Sequence, residues 1–205
     1  MHFETNHIYH VYNRGNNRIK IFFSDGNYKY LLRKIESEWL EYCDILSYCL
    51  MPNHFHFMVH AKRAGCEKIV LKGQESHLQI LSKAIGKTLS SYTQAINIQN
   101  NTSGNLFQKK TKAKCLTEPN LPLPGYTSQD YLLNCFFYIH QNPFEANLVA
   151  NLKDWPYSSW PDYYSLRSPS ICNKEIAMRR IGLPDIDLNP LFETKIEEKI
   201  IKHIW

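Results

Sequence analysis

Met51-Pro52-Asn53-His54-Phe55-His56-Phe57-Met58-Val59-His60 is the stretch on which the reading of the fold turns. Pro52-Asn53 is a turn signal, and the apolar run behind it has the length of a strand. Side chains on a strand alternate between faces, so His54 and His56 share one face while Phe55 and Phe57 take the other. Two imidazoles two residues apart on a rigid face can hold one divalent metal ion, with Phe55 anchoring the strand in a core. The alternative is a half-buried strand whose histidines face solvent, because His is also an ordinary polar residue.

Working outward, Ile45 to Leu50 reads as a strand that Pro52-Asn53 folds back into a tight antiparallel hairpin. Upstream, His7 to Tyr12 is β-branched and aromatic and is expected to form the first strand. It runs into Asn13-Arg14-Gly15-Asn16-Asn17-Arg18, a polar turn whose N–H groups and guanidinium forks, from Arg14 and Arg18, can lie on a phosphate. An unspecialised surface turn fits those residues as well. Tyr28, Leu31, Leu32, Ile35, Trp39 and Tyr42 recur at three- and four-residue steps and predict an amphipathic helix between these strands.

Downstream, Ala61 to Ser76 holds Gly65, Gly73 and mixed charges and is expected to be a loop. Leu78, Leu81, Ile85, Leu89, Tyr92 and Ile96 form the stripe of a second long helix, with Lys83 and Lys87 off that stripe. Thr111 to Leu116 reads as a fourth strand, and Glu118 to Gly125, with three prolines, as a connector. A third helix starts after Thr127 or Ser128 as N-cap and is expected to stop near Asn142, because Pro143 follows. The order β-α-β-β-α-β-α implies, over its first six elements, a ferredoxin-like α+β sandwich with an antiparallel sheet. Residues 1–165 are taken as one domain. Residues 166–205 are a C-terminal helical extension, closing in an amphipathic segment from Leu191 to Ile204.

Hydrophobic residues make up 43% and charged residues 21% of the 205, the balance of a soluble globular chain. No apolar run approaches a membrane span, and the first residues lack a signal-peptide layout. Six scattered cysteines without a Cys-x-x-Cys pair read as reduced thiols of a cytoplasmic protein. The net charge of +5 is unevenly placed. Lys83, Lys87, Lys109, Lys110, Lys112 and Lys114 fall between Ser76 and Thr117, a stretch without Asp or Glu, so the remainder carries −1. Such a cluster suits a phosphate-backbone partner, or else a merely solvated face.

Tyr138 and Asn142 are four residues apart on the third predicted helix, hence on one face, at a C-terminus whose carbonyls favour a cation. A tyrosine beside a metal-bound phosphate is a candidate nucleophile, and Asn142 can offer a third, oxygen ligand. A core tyrosine followed by a helix-terminating Asn-Pro is the plainer reading. Tyr92 is the chief rival among thirteen tyrosines, but it lies in an apolar stripe and is followed at the i+4 position by Ile96, which cannot ligate.

His54-Phe55-His56 resembles the His-hydrophobic-His motif of HUH nucleases. The wider pattern is similar to the single-tyrosine HUH transposases of the IS200-like family, specifically their repeat-associated (REP-associated) tyrosine transposase branch. Five stretches carry the resemblance: Tyr9 to Asn16, Met51 to His56, Ser103 to Gln108, Tyr138 to Pro143 and Asp154 to Ser159. It implies a metal-dependent enzyme that cleaves and rejoins single-stranded, hairpin-bearing DNA through a 5′-phosphotyrosine. Tyr138 would be the nucleophile, and His54, His56 and Asn142 the ligands of Mg²⁺ or Mn²⁺. It also implies a monomer, with the tyrosine acting in its own chain. Lys109-Lys110 stands where relatives often carry arginine, which keeps the charge without the bidentate fork. Two other readings stay open. One is a DNA-binding protein of the same fold without catalysis, to which the absence of glutamine or an acid at position 142 lends room. The other is a zinc hydrolase using His54, His56 and a cysteine such as Cys49.

Overall fold

In the computed structural model of the chain, all residues are described except 72, 119–122, 165, 167–168, 184–195, 197 and 205. The strands β1 (Ile8–Arg14), β2 (Cys43–Met51), β3 (His54–Ala61) and β6 (Lys112–Cys115) form one antiparallel sheet in the order β2-β3-β1-β6. Helices α1 (Asp25–Trp39) and α3 (Ile80–Asn100) pack against each other on its first face, completing the expected ferredoxin-like sandwich. The second face is covered by α4 (Ser128–Glu145), with α6 (Lys174–Ile181) and α7 (Glu198–Ile204) packed on α4.

The strand period explains the two cores. Tyr9, Val11, Phe55, Phe57 and Val59 point to the first face, where they meet Leu31, Ile35, Trp39, Ile85 and Tyr92. Ile8 and Met58 point to the second, against Tyr131, Cys135, Phe136 and Ile139 of α4. Leu46 joins this second core, and a bulge there, between Ile45 and Ser47, shifts the β2–β3 register so that Tyr48 returns to the first. Phe55 and Phe57 are fully buried, each stabilising the first core by about 2–3 kcal/mol.

The edge strand β2 is covered from the C-terminal side. Leu50 N–H donates to Tyr157 O (2.9 Å), Ser159 N–H to Tyr48 O (2.9 Å) and Asn173 N–H to Ile45 O (2.8 Å). Backbone groups that would template another chain are thereby satisfied. Residues 166–205 contribute Ala177, Ile181, Leu183, Ile196 and Ile200 to the core under α4. The start of the expected segment from Leu191 lies outside the described residues.

Three sequence expectations differ from the structure. The expected loop 61–76 contains α2 (Arg63–Cys66) and a hairpin of β4 (Lys68–Leu71) and β5 (Gln74–Gln79), turned at Gly73 with φ +79°. Leu78 is on β5 and exposed, not on the α3 stripe. Helix α4 runs through Pro143 to Glu145. Pro143 has no N–H for the Ile139 carbonyl, so one helical hydrogen bond is missing there, and the turn beyond it closes with Ala146, Leu148 and Asn147 N–H on Asn142 O, Pro143 O and Phe144 O. Thr127 is the α4 N-cap, in a capping box with Asp130.

Asp44 on β2 links the sheet to the extension. It accepts from His60 Nδ1 (3.2 Å), Lys62 Nζ (3.1 Å) and Asn173 Nδ2 (3.1 Å), and Asn173 caps α6. Burial would push the carboxyl up, but these donors outweigh it and hold it below its ordinary range. A depressed folded pKa gives stability that is present above the unfolded value, near 3.9, and lost as pH falls through the folded one. Asp44→Asn is therefore expected to lower stability by about 1–2 kcal/mol at pH 7, with a smaller deficit at a pH below that unfolded value. Paired thermal melts at the two pH values check this; a deficit that does not change with pH would contradict it.

Candidate active site

On β3 the alternation that buries Phe55 turns His54 and His56 toward α4. Asn53, in the hairpin turn, fixes one of them. Its Nδ2 faces Arg18 O at 3.4 Å, which leaves Oδ1 2.7 Å from His54 Nδ1. Burial lowers the His54 pKa, so the ring is neutral near pH 7, and Asn53 Oδ1, the nearer of its two oxygen neighbours, favours the tautomer with the proton on Nδ1. His54 Nε2 is then a lone-pair nitrogen, and 3.3 Å away stands Asn142 Oδ1. Asn142 is itself oriented, because its Nδ2 donates to Tyr138 O at 2.7 Å. Two acceptors turned to each other repel unless a cation lies against both, so the donor set fits a divalent metal. His56 is fully buried, its ring 5.0 Å from that of His54, with Nδ1 2.8 Å from His10 Nε2. The amide at position 142 thus reaches His54. Among the described residues no group of three or more His, Cys, Asp and Glu side chains forms a metal cluster; Cys49, paired with His56 across the strands, is buried and its thiol is pushed up by burial.

Tyr138 stands edge-on to His56 (5.5 Å, 80°) and to His10 (6.2 Å, 80°). Burial raises its phenol well above 10, with a smaller opposing contribution from the Asn142 side chain. The hydroxyl therefore stays protonated until positive charge arrives nearby. The helix carrying it is pinned from behind. His140 Nδ1 donates to Phe136 O (2.9 Å) and Nε2 accepts from Ser159 Oγ (2.7 Å), while Ser159 Oγ also accepts from Tyr48 N–H (2.8 Å). Burial keeps His140 neutral, its pKa lowered to about 3. Tyr92, the rival tyrosine, lies in the opposite core and donates its hydroxyl to Ile21 O at 2.6 Å.

The five stretches singled out in the sequence touch one another here. Gly15 N–H donates to Asn53 O (2.7 Å), Asn16 N–H to Leu106 O (2.9 Å) and Gln108 N–H to Arg14 O (2.9 Å). Asn142 meets His54, and His140 meets Ser159.

The basic residues divide. Arg14 is the cross-strand partner of His54, Lys112 of Tyr12 and Lys114 of His10, so all three project from the histidine face. Arg14, Lys110 and Lys112 line one cleft with Tyr12 and Gln108, and Lys112 Nζ lies 5.7 Å from the Tyr12 ring centre. Lys109 opens instead onto a cleft beside α3. Lys83 and Lys87 are on α3, across the sheet from the histidines, and Lys87 pairs with Glu38 at 3.7 Å. Arg18 is exposed in the turn whose carbonyl holds Asn53.

The family model described as "Transposase IS200 like" matches residues 4–126, more than half of the chain. The chain belongs to the IS200-like transposase family. It is thus a transposase-type DNA-processing protein. No curated protein matches it. Among solved structures, that of a REP-associated tyrosine transposase bound to a REP hairpin is similar, with a TM-score of 0.55 and 16% identity. The match covers 80% of this chain and 83% of that one, a likeness of fold. The family match of this IS200-like chain spans both histidines and all six clustered lysines and ends before α4, the helix that carries Tyr138 and Asn142.

Sequence reading did not single out as site residues Asn53 or His10, which stand against His54 and His56. Alternation on β1 held a signal for His10, a polar residue at an inward position between Ile8 and Tyr12. Gly15 shows how tightly the rim is built, since a Cβ there would lie 2.1 Å from Ile19 O. Gly15→Ala is expected to cost about 1–3 kcal/mol. Urea unfolding measures it, and an unchanged midpoint would mean that the turn relaxes without loss.

Proposed function

We propose that this IS200-like protein cleaves and rejoins single-stranded, hairpin-bearing DNA, with Tyr138 as nucleophile and His54, His56 and Asn142 as ligands of Mg²⁺ or Mn²⁺. The observation that carries the reading is the pair of facing acceptors, His54 Nε2 and Asn142 Oδ1 at 3.3 Å, with the Tyr138 ring 5.5 Å from His56. A bound divalent ion would polarise the phosphoryl oxygen under attack and stabilise phenolate nearby. Tyr138 Oη attacks phosphorus, its proton passing to solvent. The P–O3′ bond breaks, the 3′ oxygen takes a proton from water, and a 5′-phosphotyrosine remains. Attack by a 3′-OH on that ester reverses the step and joins strands. Asn53 keeps the His54 proton on the far nitrogen, and His140 with Ser159 holds the helix that aims Tyr138.

Incubation with labelled hairpin oligonucleotides and Mn²⁺ is expected to give a denaturant-stable protein–DNA adduct. Tyr138→Phe should abolish it. His54→Ala should lose it while keeping most DNA binding, because the cations are untouched. Adducts from Tyr138→Phe at the wild-type level would refute the nucleophile, and DNA binding without adduct under every metal would favour the non-catalytic reading.

The cations near the site are proposed to take the phosphate backbone. Each single-strand contact contributes about 0.7 to the salt slope of log K. Lys110→Ala with Lys112→Ala should flatten the slope by about 1.4, whereas Lys83→Ala with Lys87→Ala should leave it unchanged. Equal effects of the two pairs would show that the strand does not track the histidine face.

The site is proposed to work within one chain. Lys112 and Lys114 lie on the edge strand β6, and pairing two such edges antiparallel would set lysine against lysine. Mixing His54→Ala with Tyr138→Phe protein should restore no cleavage. Restored cleavage would require a site shared between two chains.

A further inference from the structure

We infer that His10 is a positioning residue for the site, accepting the Nδ1 proton of His56 and so keeping Nε2 of His56 as the lone-pair nitrogen. The inference rests on the metal-site reading above and deepens it. His10 is fully buried in the middle of β1, where alternation would ordinarily place an apolar side chain. A buried imidazole is costly unless its polar atoms are used, which points to a task at this position. Its ring packs against Tyr12 (4.6 Å, 29°) and lies nearly coplanar with His56, edge to edge (5.0 Å, 22°), the pose in which a ring N–H can reach a ring nitrogen.

Between these rings, His10 Nε2 and His56 Nδ1 stand 2.8 Å apart. Two ring nitrogens at that separation need one proton between them. Two protons would collide, and none would leave lone pairs opposed. Where the proton sits decides what His56 can do. If His10 Nε2 carried it, a neutral His56 would bear its own proton on Nε2 and could not ligate there. With the proton on His56 Nδ1, Nε2 keeps its lone pair. The other two proposed ligands are set the same way, each by a partner on its far side: His54 by Asn53 Oδ1 (2.7 Å) and Asn142 by Tyr138 O (2.7 Å). His10 supplies the third such partner, giving every ligand one orienting contact, the arrangement that fixes tautomer and aim in metal sites.

Two measurements test this, and one needs no metal. In metal-free protein with ¹⁵N-labelled histidine, long-range ¹⁵N–¹H couplings report each tautomer. The expected result is Nδ1–H on His56, and Nε2–H there would overturn the inference. Calorimetric Mn²⁺ titration forms the second arm. His10→Leu keeps the volume without an acceptor and should bind Mn²⁺ about 10–100-fold more weakly. His10→Gln, whose Oε1 falls near the place of Nε2, should recover most of the loss. Should His10→Leu fail to fold, the labelled wild type and His10→Gln still decide: Gln binding as weakly as a His54→Ala control overturns the inference. Wild-type affinity in a folded His10→Leu overturns it and leaves the metal site standing, whereas a wild type that binds no Mn²⁺ overturns both.

Discussion

A strand repeats every two residues, and in β3 that period has to serve a core and a site together. Phe55 and Phe57 are locked into the first core, so His54 and His56 have no alternative but the opposite face. A slip of one residue would drive both rings toward α4 and bury both histidines in the first core, with no polar partners provided there. The large cost of that slip is what gives the site its rigidity. Everything else follows from covering the second face, which α4 does, bringing Tyr138 and Asn142 onto the histidines.

The covering is itself a polar construction. His140, buried and neutral, ties α4 to Ser159, and Ser159 ties to the backbone of Tyr48 on the edge strand. Trp155 adds a hydrogen bond to Leu50 O at 3.1 Å, and Tyr157 stacks on Tyr28 at 3.7 Å while its hydroxyl reaches Asp25. The segment around Trp155 to Ser159 thus fastens the edge of the sheet, the helix α1 and the helix α4 to one another. A site with this backing meets a rim of Arg14, Lys110 and Lys112, charge outside and low polarity within. Such an arrangement suits a phosphate at the rim, while burial holds the phenol in its protonated form.

How much of this was legible in the sequence varied with the kind of signal. The sheet, α1, α3 and α4 showed through hydrophobic period, because their buried stripes are continuous. The β4–β5 hairpin did not, since its strands interleave charges and bury little. The stop expected at Pro143 came two residues later, at Glu145, because the core contacts of α4 and the turn closed by Ala146, Asn147 and Leu148 hold the helix past one missing hydrogen bond. His54, His56, Tyr138 and Asn142 were readable from spacing on their own elements and do come together. The lysines were read as one cluster from their nearness in sequence, yet the sheet separates Lys83 and Lys87 from Lys110, Lys112 and Lys114. Asn53 and His10 escaped notice because their roles depend on which atom of a neighbour they face, a matter of register between strands.

The central claim is that one tyrosine, Tyr138, takes the DNA covalently. Its most direct test is mass spectrometry of the protein–oligonucleotide adduct after tryptic and nuclease digestion. The peptide between Lys114 and Lys153 holds Tyr126, Tyr131 and Tyr138, which fragmentation distinguishes. The account predicts a nucleotide mass on Tyr138 and on no other tyrosine. The same mass on Tyr12, Tyr126 or Tyr131, with Tyr138 unmodified, would contradict it.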